Sequence, residues 1–123
     1  MLEELTKQPA TEWSSILAVS RKPQQVTLGD PRLKFLAIDI LAKSVEEITD
    51  VLKKAGGEDV THVFHYTYLE GKDAKDQVEL NHVLLQKSLD AIVSIAKHLE
   101  VFLLQTGLKV RYLLSNLNIN LFY

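Results

Sequence analysis

The sequence predicts an α/β chain, with short buried strands forming a parallel sheet that helices cover on its faces. Three observations carry this reading. Four runs rich in apolar, β-branched and aromatic residues (SILAVS, FLAID, VTHVFHY and VFLLQ) are each short enough for a strand, and each leads into polar residues. Helical periodicity fills residues 44–55 and 73–99 between them. The composition, 46% apolar and 24% charged over 123 residues, is that of one ordinary globular domain.

Taken in order, residues 2–8 place Leu2 and Leu5 three apart among charges, which reads as one or two turns of amphipathic helix stopped by Pro9. Trp13 follows as a packing residue. Ser15–Ser20 is a buried strand, ended by Arg21, Lys22 and the breaker Pro23. Pro23, Gly29 and Pro31 then exclude a regular helix, so this stretch is a loop. Phe35–Asp39 is the second strand and ends on a carboxylate. Ser44 and Glu47 have the spacing of a capping box, with Val45, Ile48, Leu52 and Ala55 at helical intervals behind it. Gly56 and Gly57 stop that helix, because glycine supplies the left-handed conformation a helix end requires. Val60–Tyr66 is the third strand. Asp73–Leu99 is a long helix with Val78, Leu85, Ile92 and Leu99 on one stripe, thickened by Leu84, Leu89, Ile95 and Ala96. Val101–Gln105 is the fourth strand, closed by Thr106 and Gly107. Residues 110–123 are apolar and rich in asparagine, with no clear period, and form an unassigned tail after a domain spanning 1–109.

Several functions are excluded. Fourteen Lys and Arg against sixteen Asp and Glu leave no basic stripe for a nucleic acid backbone. The apolar stretches are too short or too polar to cross a membrane. No leader-like segment opens the sequence, which predicts a cytosolic protein. With no cysteine, disulfides, thiolate zinc sites and cysteine nucleophiles all drop out. His62 and His65 fall on opposite faces of a strand, and His82 and His98 are sixteen apart on one helix, so no metal site is predicted. Gln86–Ser88 and the Lys53–Lys54 pair read as ordinary solvated faces.

Function in a parallel α/β sheet belongs at the carboxyl ends of the strands. Here those ends carry Ser20, Arg21 and Lys22; Asp39; Tyr66, Thr67 and Tyr68; and Gln105, Thr106 and Lys109. Arg21 beside Lys22 is suited to holding a phosphate through charge-assisted bonds. An acid at that place would favour a free ribose hydroxyl instead, so the sign leans toward NADP. The plain alternative is a solvated pair in a loop. Asp39 could accept from an adenine amino group or simply cap the following loop. Lys109 could hold a ribose and lower the pKa of a neighbouring acid, or be an ordinary surface lysine.

The succession ILAVSRKP, FLAIDI, DVTHVFHYTY, QVELNHVLLQKSLDAI and LLQTGLK resembles the progesterone 5β-reductase and iridoid synthase-like group of extended short-chain dehydrogenases/reductases. Their wider relatives are the NAD-dependent epimerase/dehydratase-like proteins. The resemblance implies a partial Rossmann-like parallel sheet with flanking helices. It also implies NADPH as cofactor: Ser20, Arg21 and Lys22 at the 2′-phosphate, Asp39 and Ile40 lining the adenine pocket, Thr67 toward the ribose and nicotinamide, and Gln105 and Thr106 beside the nicotinamide. Lys109 matches the lysine that assists a catalytic tyrosine. In that group a hydride passes from NADPH to the β-carbon of an enone, and the tyrosine stabilises the enolate.

Two departures temper what the resemblance implies. The group opens with a strand and a glycine-rich turn that holds the pyrophosphate, whereas this sequence opens within the helix that would follow. None of its five glycines, at 29, 56, 57, 71 and 107, stands where that turn would be. The group's tyrosine lies in a segment with no match here, and Tyr112 does not replace it. The expectation is therefore a fragment: part of the cofactor domain of an NADPH-dependent enone reductase, inactive alone and prone to self-association through an exposed sheet edge. The alternatives are a non-enzymatic remnant or an α/β module that a partner chain completes. A flavodoxin-like domain is disfavoured, because SRKPQQ lacks the Ser, Thr and Gly richness of a phosphate loop.

Overall fold

The computed structural model describes residues 2–23 and 29–105. Its elements run α1 (Leu2–Lys7), β1 (Ile16–Ser20), β2 (Leu33–Ala37), α2 (Val45–Lys54), a 3₁₀ turn (Gly57–Asp59), β3 (His62–His65), α3 (Ala74–Ile95) and β4 (Val101–Leu104). The alternation of strand and helix predicted from the sequence is present, and both strand pairs are parallel.

The strands do not form one ladder. β1 pairs with β2, Ile16 opposite Leu33 and Ser20 opposite Ala37, while β3 pairs with β4, His62 opposite Val101 and His65 opposite Leu104. Among the described residues these are two separate two-stranded sheets, so each of the four strands, β1 and β3 included, presents one unpaired edge. The helices join them instead. Leu36, Ile38 and Ile40 from the first sheet and its exit, together with Val63 and Phe102 from the second, pack on the shared core of Ile48, Leu52, Ala91, Ile92, Ile95 and Ala96. Ile38 and Ile48 are the largest fully enclosed side chains, each 2% exposed.

Local chemistry explains each helix. Ser44 caps α2 as anticipated: its Oγ accepts from Glu47 N at 3.2 Å, and the Glu47 carboxylate accepts from Ser44 N at 3.0 Å. Gly56 ends the helix at φ 92°, left-handed backbone that favours glycine. Gly57 is needed for a different reason, since a Cβ there would lie 2.8 Å from the Leu52 carbonyl oxygen and 2.9 Å from Ile95 Cδ1. Asp73 caps α3 by accepting from Asp76 N at 2.8 Å. The stripe expected on α3 is the buried one, through Leu84, Leu85, Ile92 and Ile95.

Several boundaries differ from the sequence reading. The second strand is Leu33–Ala37 rather than Phe35–Asp39, because its ladder with β1 begins at the Arg32 carbonyl, which accepts from Ile16 N, and closes where Ile38 N donates to the Ser20 carbonyl. Asp39 lies beyond the strand. The third strand shrinks to His62–His65, matched to the four residues of β4. The long helix stops at Ile95 instead of Leu99, since the chain must turn so that Glu100 N and Val101 N can both reach the Thr61 carbonyl, at 2.8 and 3.1 Å. His98 consequently lies outside the helix that was expected to carry it.

Helix α1 is too short to be stable in isolation. Arg32, at the entry to β2, holds its end. Nη2 donates to the Thr6 carbonyl, and Nη1 donates to those of Gln8 and Trp13, each at 2.9 Å. Nε and Nη2 also grip the Asp30 carboxylate, Nη2 at 2.7 Å, and the guanidinium holds that carboxyl below the usual carboxylate range. Trp13 then packs edge-on against His62 and Phe64, with ring centroids at 5.1 and 6.5 Å, so the approach to β1 covers one face of β3.

Candidate functional site

The carboxyl ends of the strands gather the predicted residues into two groups. At the end of the first sheet, Ser20 closes β1 and Arg21, Lys22 and Pro23 continue as an exposed tip. Ser20 Oγ donates to the Lys22 carbonyl at 2.5 Å, folding the tip into a tight turn. The Ser20 carbonyl accepts from Ile38 N at 2.8 Å, which sets this tip beside the segment leading to Asp39 and Ile40. Neither Arg21 nor Lys22 has an acidic partner among the described residues, where only Lys7, Arg32 and Lys53 are paired, with Glu4, Asp30 and Glu58. Two exposed cations without an acidic partner suit a phosphate monoester, while the Ser20 hydroxyl is spent on shaping the turn.

Asp39 takes the second of its two sequence readings in this structure: its Oδ1 accepts from Ala42 N at 3.2 Å and caps the loop. Its carboxylate is half-buried, and Ile40 turns into the core beside Ile38.

At the end of the second sheet, Thr67 and Gln105 line one small cavity of about 30 Å³, room for about one or two waters. The sequence reading gave no role to His65, which also lines this cavity. His65, 8% exposed, is stacked on Phe102 with ring centroids at 5.9 Å, and neither ring nitrogen has a hydrogen-bond partner. Alternation along β3 could have signalled it, since His65 shares a face with core Val63 while His62 shares one with Phe64. The floor of the cavity is fixed by Asn81, 7% exposed. Its Oδ1 accepts from Leu69 N, and its Nδ2 donates to the carbonyls of Leu69 and Gln77, at 2.9, 2.7 and 2.8 Å. This pins the chain leaving β3, where Tyr66, Thr67 and Tyr68 are exposed. Thr106 and Lys109 lie outside the described residues.

Burial pushes the His65 imidazole below its ordinary value. The folded chain therefore holds it neutral while the unfolded chain takes up a proton near pH 6.5. Its contribution to stability is complete above that pH and is lost progressively as pH falls toward the depressed folded-state value. The urea midpoint should fall between pH 7.5 and 5.5, and His65→Phe should flatten part of that slope; an equal slope in the variant would show that His65 is not the group responsible.

The sequence reading of residues 86–88 as a solvated face is corrected at Lys87. Its Nζ donates to the carbonyls of Leu41 and Lys43, at 3.1 and 2.7 Å. No spacing in the sequence announces a partner more than forty residues away. Lys53 and Lys54 are exposed as expected, although Lys53 bridges to Glu58 at 3.4 Å. No cluster of three His, Asp or Glu suited to a metal occurs among the described residues.

A family model described as a PRISE-like Rossmann-fold domain matches residues 5–121. This chain belongs to that family. Among similar proteins is the short chain dehydrogenase gsfE of Penicillium aethiopicum, 36% identical over 96 residues, covering 78% of this chain and 25% of that protein. The 3-oxo-Δ(4,5)-steroid 5β-reductase of Arabidopsis thaliana is 29% identical over 105 residues, covering 85% of this chain and 26% of its own length. The (S)-8-oxocitronellyl enol synthase ISY1 of Nepeta cataria is 27% identical with the same coverage. The chain thus spans about a quarter of the length of these relatives. The resemblance read from SRKP, THVF and LQTG.K is thereby established at the level of the family, and the fold is of Rossmann type.

Proposed function

We propose that this chain supplies part of the nicotinamide-cofactor domain of an NADPH-dependent oxidoreductase of the short-chain dehydrogenase/reductase superfamily, acting on an enone-type small molecule in the cytosol. The observation that carries the reading is the placement of two exposed cations, Arg21 and Lys22, directly at the carboxyl end of β1 and beside the segment leading to Asp39 and Ile40. The 2′-phosphate belongs at this tip, and the adenine belongs against the turn bearing Asp39 and Ile40. Thr67 and Gln105 border the nicotinamide side. When bound, NADPH supplies the hydride that adds to the β-carbon of the enone. Lys109, by the family pattern, assists the catalytic tyrosine that stabilises the enolate.

A second reading, an α/β module completed by a partner or by self-association, is supported by the unpaired edges of β1 and β3. Titrating the protein with NADPH and NADH separates the two. Saturable binding with clear preference for NADPH is expected, and absence of saturable binding to either dinucleotide would leave the partner-completed module as the better account.

A further inference from the structure

Residues 38–44, which connect β2 to α2, are held at three places. At the front, Ile38 is buried and its N–H is bonded to the Ser20 carbonyl. At the rear, the Ser44 and Glu47 capping box fixes the start of α2. Between these, the turn closes on itself through Asp39, whose Oδ1 and main-chain carbonyl accept from Ala42 N and Lys43 N. Among the described residues, the side chain of α3 that hydrogen-bonds to this turn is Lys87, through its two bonds to the carbonyls of Leu41 and Lys43.

Such a use of a lysine is costly unless it is needed. An ammonium is strongly hydrated, and Lys87 is half-buried. Among the described residues it has no carboxylate partner, so main-chain oxygens solvate its charge. Both accepting carbonyls belong to the turn that carries Asp39 and Ile40.

We infer that Lys87 is a positioning residue: from α3 it fixes the turn at residues 39–43 and thereby shapes the adenine side of the dinucleotide site. This rests on the reading above that Asp39 and Ile40 border the adenine. Lys87 touches no cofactor atom in this account, since its two bonds fix where the turn lies.

The test uses Lys87→Met, which keeps the aliphatic stem but removes the ammonium, and Lys87→Arg, which restores a cationic donor. Affinities for 2′,5′-ADP, carrying the adenine end alone, and for reduced nicotinamide mononucleotide, carrying the other end, are measured by calorimetry. Lys87→Met should weaken 2′,5′-ADP about tenfold, as loss of charge-assisted bonds allows. It should leave the mononucleotide within about twofold, and Lys87→Arg should recover most of the loss. A merely structural role would weaken both ligands together, and that result would overturn the inference. So would wild-type affinity for 2′,5′-ADP in folded Lys87→Met. If the wild-type protein itself fails to bind 2′,5′-ADP, the adenine reading fails and this inference falls with it. Should Lys87→Met not fold, the wild type still decides. Its Lys87 ammonium protons should exchange with water more slowly than those of exposed Lys53 and Lys54 by NMR, and equal rates would remove the anchoring bonds on which the inference stands.

Discussion

Replacing Ile38 by alanine is expected to destabilise the chain by about 3 kcal/mol, within the range for truncating an enclosed isoleucine. Ile38 is 2% exposed and sits where the first sheet hands over to the helix layer, in one cluster with Ile48, Leu52, Ile92 and Ile95. Removing its branched end leaves a void that must be closed by Ile48 from α2 or by Ile92 and Ile95 from α3. Those helices also carry the second sheet through Val63 and Phe102, so collapse on one side pulls at the other. A domain of this size has roughly 5–15 kcal/mol of total stability, so this single truncation removes a large fraction of it. In urea the midpoint should fall by about 1 M or more. Ile38→Val should cost about 1 kcal/mol. A midpoint unchanged by the alanine would mean that the two sheets do not share a core.

The second large effect concerns binding. On the proposed function, Arg21→Ala should weaken NADPH by about 10- to 100-fold, the span expected when one or two charge-assisted bonds to a phosphate are lost. NADH, which lacks that phosphate, should change by less than about threefold. The ratio of the two affinities, measured by fluorescence titration, is the readout. A proportional loss for both would remove Arg21 from phosphate recognition and make the tip a general electrostatic feature.

Features encoded locally were legible in the sequence. Ser44 and Glu47 are three apart and close on each other, Gly56 takes a conformation that glycine favours, and the stripe on α3 follows from helical spacing alone. What depends on a distant partner was not. β2 begins at Leu33 because of its register with β1, and α3 ends at Ile95 because the Thr61 carbonyl waits for two amides. Lys87 looked like any lysine on a polar face, because its acceptors belong to another element. The candidate site was read as a set of strand ends, and the fold puts Ser20, Arg21 and Lys22 next to the turn of Asp39, and Thr67 and Gln105 on one cavity. The carboxylate of Asp39 was the ambiguous member, since the same group can meet a ligand or its own loop; here it meets Ala42 N.

The grip of Arg32 on α1 has a consequence for how this helix can change. Arg32 holds three main-chain oxygens, those of Thr6, Gln8 and Trp13, and every amino acid provides such an oxygen. Substitutions along α1 therefore leave its anchorage intact, while its address in the fold is written in Asp30 and Arg32. The exposed side of the helix is free to drift or to be reshaped for a neighbour, and a change at either of those two loop residues would move it as a unit.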